Sequence, residues 1–538
     1  MAVKVVVLLV YVAGLFVIGW YARTRWSEPA EGFFLAHRSL GTVIFLASFA
    51  ATNFSAFTVI GVSGEGYREG YAFYPIIGFG TGFMAITIWG IGRRVRELGQ
   101  EMGALTPPDL VRSVYDHRGV STLVAVIMVV FTLPYIALQP IAAGYALQEL
   151  LGMPYFLGAV LTTGVIVLYT LRGGLKAVAW TDAFQGLVMI VVLLLAAVVV
   201  ADQAGGLVTA GKKLLAEHPA LFSRPGELGQ YLPGIWLSYI ALWFFCDPMF
   251  PQLFQRFLAA QDNRPIRRTM LAYPFICTVL FILPTTIGVL GRLSHPGLER
   301  KAADHILPIL AADMGSPLLG ALIVACVLAA LMSTMSSQLL TLSAMVAHDL
   351  VPLFRKNRPT TGAEGRFGVL ILALIGLALA VQPPGTILDI AVKYAFTGLA
   401  VVFPTVLFGL YPGWRSARGA IVSLVVGEGA LVLTFFGLLP KFGFLPVIPI
   451  LVLTFGSYLL VAAAERLRAG APLPWPRAFL SSPYAWALLA IFVLAMDFWR
   501  WGQVPSLVFG WPSWIFYFVL LSAAQTVVMA LWSRERGK

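Results

Sequence analysis

Long apolar runs recur from one end of this chain to the other, each close to the length that crosses a bilayer, with short polar stretches between them. Read as helices, they predict about fifteen spans. These fall at about 2–22, 40–63, 72–95, 119–150, 156–174, 178–202, 234–257, 270–294, 316–347, 367–382, 386–410, 417–438, 444–466, 483–499 and 512–533. The runs are continuous rather than alternating, which excludes a β-barrel. The predicted fold class is an all-α polytopic membrane protein.

Polar breaks inside the runs add an internal symmetry. Spans two to eleven divide five and five, and each half opens with an interrupted helix. The first interruption is polar, at Ala51-Thr52-Asn53-Phe54-Ser55. The second is Cys246-Asp247-Pro248-Met249-Phe250-Pro251, where two prolines cannot continue a backbone ladder. The third span of each half (119–150 and 316–347) has roughly 32 residues against the roughly 20 that cross a bilayer, so both should tilt or protrude. Five helices separate equivalent spans, so the halves run in opposite directions. Inverted repeats with broken first helices mark a secondary transporter with its site near the midplane. The organisation predicted is an extra helix and loop at 1–37, a first repeat at 38–202, an external loop at 203–233, a second repeat at 234–412 and extra helices at 413–538. A short surface helix is expected in the external loop around Gly211-Lys212-Lys213-Leu214-Leu215-Ala216-Glu217.

The ninth span carries the most informative polar face. Steps of three, four and seven place Ala330, Ser333, Thr334, Ser337 and Thr341 together, with four hydroxyls and no charge. Hydroxyl and carbonyl oxygens are hard neutral ligands for a small hard cation. Close helix packing through small residues gives the same face without any ion.

Composition narrows the classes. The chain is 59% hydrophobic and 12% charged. A soluble domain carries about 25% charged residues, so a soluble protein is excluded. A net charge of +12 would suit a nucleic acid, but the placement does not. With Met1 outside, roughly 26 of the 37 Lys and Arg fall on the cytoplasmic side, about 10 outside and one deep within a span. The basic clusters Arg93-Arg94-Val95-Arg96, Arg264 to Arg268, Arg355-Lys356-Asn357-Arg358 and Arg534 to Lys538 all land inside. The expectation is a multi-pass protein of the cell (inner or plasma) membrane, N-terminus outside and C-terminus cytoplasmic, with no nucleic-acid partner. Cys246, Cys277 and Cys326 lie in apolar runs without ligand spacing. The six histidines fall in loops or at helix ends, which argues against a mid-membrane proton relay. The first apolar run lacks a small-residue cleavage site and reads as a retained helix. Nothing matches a phosphate-binding Gly-rich loop, so ATP hydrolysis is not expected.

Three stretches carry a resemblance. Gly173-Gly174-Leu175-Lys176-Ala177-Val178-Ala179-Trp180-Thr181-Asp182-Ala183-Phe184-Gln185 resembles a signature of the sodium:solute symporter family. Ala330 to Ser343 resembles the sodium-site helix of that family, and Ser48 to Gly66 its first core helix. The motifs keep family order and cover about 40–410. The resemblance implies a LeuT-type five-plus-five inverted-repeat core, with one extra helix before it and about four after. It also implies a sodium site formed by the carbonyls of Ala51, Phe54 and Ala330 and the hydroxyls of Ser333 and Thr334. Some members look to bind a second sodium, and the matching residues here are Asp182, Ser333, Ser336 and Ser337. A helix cap near the cytoplasmic surface is the other role for Asp182.

The helices lining such a site offer Asn53, Phe57, Thr58, Tyr74, Tyr135, Gln139, Tyr239, Trp243, Phe244 and Asp247 as pocket candidates. For the aromatics, core packing is the competing role. Asp247, a carboxylate beside two prolines, is costly in a membrane helix unless functional or paired. Lys393, placed deep within a span, has Asp389 one turn before it. Together they form either a structural ion pair or a gate for an anionic substrate.

These features lead to a sodium-coupled symporter importing a small organic solute by alternating access. One or two Na+ ions are expected, with no nucleotide or organic cofactor. Thr132 to Pro140 and Phe250 to Phe257 look like the monocarboxylate-permease branch, so a monocarboxylate or similar anion is the first expectation for the substrate. An amino acid such as proline, pantothenate or a sugar is the alternative. The sugar branch has a glutamine where Thr58 stands, which argues against a sugar. A monomer should suffice for transport. A polytopic membrane enzyme is the rival class, but the adjacent pairs Asp116-His117, Asp304-His305 and His348-Asp349 carry no catalytic mark. A channel or sensor is a third class.

Overall fold

In hydrocarbon each backbone amide must be satisfied within its own segment, so the apolar runs become helices. The computed structural model describes residues 1–22, 28–354, 362–383, 385–440, 442–474 and 481–535. The basic cluster Arg355-Lys356-Asn357-Arg358 and the terminal Arg536 to Lys538 lie outside the described residues. Among the described residues, eleven helices are long and apolar enough to cross a membrane, or twelve if one bent pair counts as a single span. The expected fifteen is therefore not reproduced by length and apolarity alone. The expected spans 156–174 and 178–202 are two helical stretches within Tyr155–Gln203, and they meet at a sharp break at Gly174. The expected span 234–257 is two pieces, Pro233–Cys246 and Pro251–Ala259.

The bend at Gly174 needs glycine. Its φ is 56°, and a Cβ there would lie 2.5 Å from the Phe33 carbonyl oxygen. A second close approach locks the second half of the first broken helix. A Cβ at Gly66 would lie 2.5 Å from the Thr285 carbonyl oxygen, so Val62–Glu69 sits directly on Asn263–Ser294.

The first broken helix comprises Thr42–Asn53 and Phe57–Phe73, bent by 57°. At Phe54, φ −87° and ψ 87° leave the helical region. The Ser55 hydroxyl then accepts the Phe57 amide at 3.2 Å and starts the second half. In the second broken helix, Pro248 and Pro251 lack the amides that would continue the ladder. The chain makes one tight turn at Asp247–Met249, extends at Phe250 and resumes at Pro251. The two broken helices are tied together at one end. The Leu40 amide donates to the Ala259 carbonyl at 3.2 Å, and the Gln261 amide to the Leu40 carbonyl at 3.1 Å.

Pro317–Met345 runs through the centre, capped by the Ser316 hydroxyl. It packs against Tyr155–Gln203, Arg118–Leu151, Ala2–Tyr21 and the first broken helix. The loop near 203–233 carries the expected short helix, Leu207–Glu217. Arg224 anchors that loop: its guanidinium reaches Asp497 at 2.6 Å between the rings of Trp501 and Trp514.

Candidate functional site

The central helix meets the first break through its hydroxyls. Ser333 Oγ donates to the Ala51 carbonyl at 2.9 Å, and Thr334 Oγ1 to the Thr52 carbonyl at 2.9 Å. The same hydroxyls lie 3.0 and 3.2 Å from the Ala330 carbonyl. Five oxygens from two helices thus converge in a buried spot: the carbonyls of Ala51, Thr52 and Ala330 and the two hydroxyls. Phe54, at the break itself, offers a carbonyl that no donor meets among the described residues. Helix C-terminal carbonyls carry partial negative charge, so the end of Thr42–Asn53 adds to the field felt there. A neutral oxygen set of this size suits a small monovalent cation. The Thr52 carbonyl is an addition to the set expected from sequence.

Beside it lies a second buried cluster with a different character. Asp182 Oδ2 accepts from Ser48 Oγ at 2.9 Å, Thr52 Oγ1 at 3.0 Å and Ser337 Oγ at 3.3 Å. It also meets Arg256 Nη2 at 2.6 Å, and Arg256 in turn reaches Ser48, Ser337 and the Gln252 carbonyl. Neither charged side chain is exposed. Of the four residues matched to a second sodium site, Asp182 and Ser337 are together. Ser333 faces Ala51, and Ser336 bonds back to the Ser333 carbonyl at 3.1 Å. Asp182 is mid-helix, not a cap. Arg256 was not singled out from sequence.

Between the two breaks lies an aromatic box. Phe396 is its hub, with ring centroids 4.9 Å from Tyr135, 5.0 Å from Phe250, 5.5 Å from Trp243 and 6.3 Å from Phe57. Tyr239 stacks one helical turn above Trp243, at 6.1 Å. Gln139 accepts the Ala56 amide at 3.2 Å, and the Tyr135 hydroxyl reaches Ser55 at 3.3 Å, so both hold the first break. Asn53 reaches the Tyr273 hydroxyl and Asp247 Oδ2. Thr58 is buried in the turn after the break. Two candidates lie apart. Tyr74 bonds to the Thr278 carbonyl at 3.2 Å, and Phe244 packs on Phe83, Phe245 and Phe403. Phe250, Tyr273 and Phe396 complete the surroundings but were not selected from sequence, since aromatics in apolar runs look alike.

At the far end of the first broken helix, Arg68 is buried between Glu65 (2.8 Å) and Asp304 (2.8 Å). Tyr231 donates to the other Glu65 oxygen, and the Ile387 amide donates to Asp304 at 2.9 Å. Burial raises the Asp304 carboxyl, and Arg68 opposes that rise. Lys393 meets Asp389 at 2.8 Å, with Arg300 at 3.4 Å from the same carboxylate. Its side chain is 62% exposed, so it lies near an open end rather than deep within a span as the span count placed it.

A bundle with two broken helices and a hydroxyl–carbonyl cluster where the central helix meets the first of them is the architecture of a membrane carrier of the LeuT type. In fold it is similar to a Na+-coupled sialic acid symporter solved in its substrate-bound outward-open state. The TM-score is 0.72 at 16% identity, over 88% of this chain and 99% of that one. The chain belongs to the sodium:solute symporter family, whose model matches residues 33–427. It is 29% identical over 488 residues to the osmoregulated proline transporter OpuE of Bacillus subtilis strain 168, covering 88% of this chain and 97% of that protein. It is 26% identical over 457 residues to the sodium/pantothenate symporter of Haemophilus influenzae, covering 83% and 93%. The protein is a carrier and not an enzyme.

Proposed function

We propose that this protein imports a small organic solute together with Na+, and that the ion binds where Ser333 and Thr334 face the first break. The observation that carries this is the pair of 2.9 Å contacts from those hydroxyls to the Ala51 and Thr52 carbonyls. A bound Na+ takes the hydroxyl lone pairs, and the O–H groups turn aside. The ion then fixes the broken helix against the central one, which organises the neighbouring aromatic box. The Phe54 carbonyl, unmet at the break, belongs to the same ligand set.

Relatives that carry proline and pantothenate favour an amino acid such as proline, or pantothenate, over the monocarboxylate expected first. A single sodium is the reading the second cluster supports, because the Arg256 guanidinium already supplies the cation facing Asp182. With Met1 outside, the Arg68 cluster closes the outer end and the Arg256 cluster the inner end. Each must open in turn for alternating access. Coupling is reciprocal, so sodium raises solute affinity by the factor that solute raises sodium affinity. Inward movement of the ion supplies about 2.3 kcal/mol per charge per 100 mV. The test is uptake of labelled L-proline and pantothenate into proteoliposomes with and without an inward sodium gradient. Gradient-driven accumulation of either supports symport; uptake indifferent to sodium rejects it.

A further inference from the structure

We infer that Asp247 is the receptor for a positively charged amine on the solute, so that the carrier selects a small ammonium-bearing zwitterion and rejects amine-free anions. This rests on the symport reading above and names the substrate class of that site.

The carboxylate is buried, 2% exposed, at the second helix break. Its Oδ1 has no hydrogen-bond partner, and Oδ2 has only the Asn53 amide at 3.5 Å. Among the described residues no Lys, Arg or His pairs with it. Four other buried carboxylates each face a guanidinium: Asp182 meets Arg256, Glu65 and Asp304 meet Arg68, and Asp497 meets Arg224. A lone buried carboxylate costs several kcal/mol unless a cation meets it or it takes up a proton. Both helix polarities meet at the breaks: the second halves begin at Phe57 and Pro251, and the first halves end beside Asp247. Asp247 follows the C-terminus of Pro233–Cys246, the negative end of a helix dipole. Asn53, its one partner, ends Thr42–Asn53, so a second negative helix end converges on the same spot. The two negative ends, at Asn53 and Cys246, favour positive charge beside the carboxylate.

The neighbouring side chains favour an organic cation with an apolar body. Tyr239, Trp243 and Asp247 recur every four residues on one face of the helix. Trp243 and Phe57 (5.6 Å) with Phe396 form aromatic walls, which accept both an aliphatic ring and the face of an ammonium. The Trp243 indole N–H is also buried without a partner, leaving a donor for a solute carboxylate. A carboxylate at Asp247 itself repels an anion such as pantothenate, which has no amine to offset the charge. A cyclic secondary ammonium acid such as proline satisfies every element.

The test uses the purified full chain with a matched series at saturating sodium. L-Proline has ring, carboxylate and ammonium; cyclopentanecarboxylate has the same ring and carboxylate without nitrogen; pantothenate is an amine-free anion. Melting temperature and competition against labelled L-proline are read for the wild type, Asp247→Asn and Asp247→Glu. The expected result is that L-proline binds at least a hundredfold tighter than either amine-free acid. Asp247→Asn should remove most of that preference, and Asp247→Glu should restore part of it. If Asp247→Asn does not fold, the wild-type series decides by itself. Equal or tighter binding of an amine-free acid, a series in which no ammonium-bearing member binds, or unchanged proline affinity in Asp247→Asn overturns the inference. The melting shift caused by sodium alone is recorded in parallel. Its presence with a failed ligand series sinks only the amine inference; its absence sinks the symport reading and this inference with it.

Discussion

Arg256 and Asp182 meet at 2.6 Å with neither side chain exposed, and they join the second half of the second broken helix, Pro251–Ala259, to the helix that carries the family signature. Ser48 and Ser337 bind the same guanidinium, so four helices close on one charge pair. Removing one member leaves the other buried and unpaired, at a cost of about 3–5 kcal/mol. Arg256→Met should lower the melting temperature sharply, and the double variant Arg256→Met with Asp182→Asn should recover much of the loss. Thermal unfolding of the three purified proteins checks this.

The proposed single sodium rests on Arg256 being the cation that faces Asp182. Uptake measured against sodium concentration should follow a Hill coefficient of about one. Arg256→Gln, which removes the positive charge facing Asp182, should not reduce that coefficient. A wild-type coefficient near two would mean that Arg256 moves aside for an ion.

Arg68 bridges Glu65 and Asp304 through separate nitrogens. Only a guanidinium spans both, so Arg68→Lys should fail to substitute and behave much like Arg68→Gln. Both should lose stability by roughly 2–4 kcal/mol and slow uptake. Asp304→Asn should be milder, because Glu65 still holds Arg68. Melting temperature and initial uptake rate give the comparison.

Lys393 behaves oppositely because it is exposed. An exposed ion pair contributes between about 0 and 1 kcal/mol. Lys393→Met should therefore melt within a few degrees of the wild type. Unchanged uptake in that variant leaves a structural pair only, whereas a raised half-saturation for the solute would mark a gate.

Much of this architecture was legible because it depends on local periodicity. The hydroxyls at 333, 334 and 337 share a face by helix geometry alone, and prolines 248 and 251 announce their break. What needed three dimensions was pairing. Arg256 sits in a stretch that reads as the basic end of a span, and nothing local says that it turns inward to Asp182. Glu65 and Arg68 look like a polar helix end until Asp304 arrives from a distant loop. Phe250 and Phe396 cannot be told from core aromatics without their neighbours.

The most direct measurement is the sodium dependence of solute uptake in proteoliposomes for the wild type, Ser333→Ala, Thr334→Ala and Thr334→Ser at a fixed membrane potential. Losing one hydroxyl ligand removes about 1–2 kcal/mol, so each alanine variant should need roughly tenfold more sodium for half-maximal uptake. Thr334→Ser keeps the oxygen and should stay close to the wild type. Sodium curves that coincide for all four proteins would place the ion elsewhere and contradict the assignment.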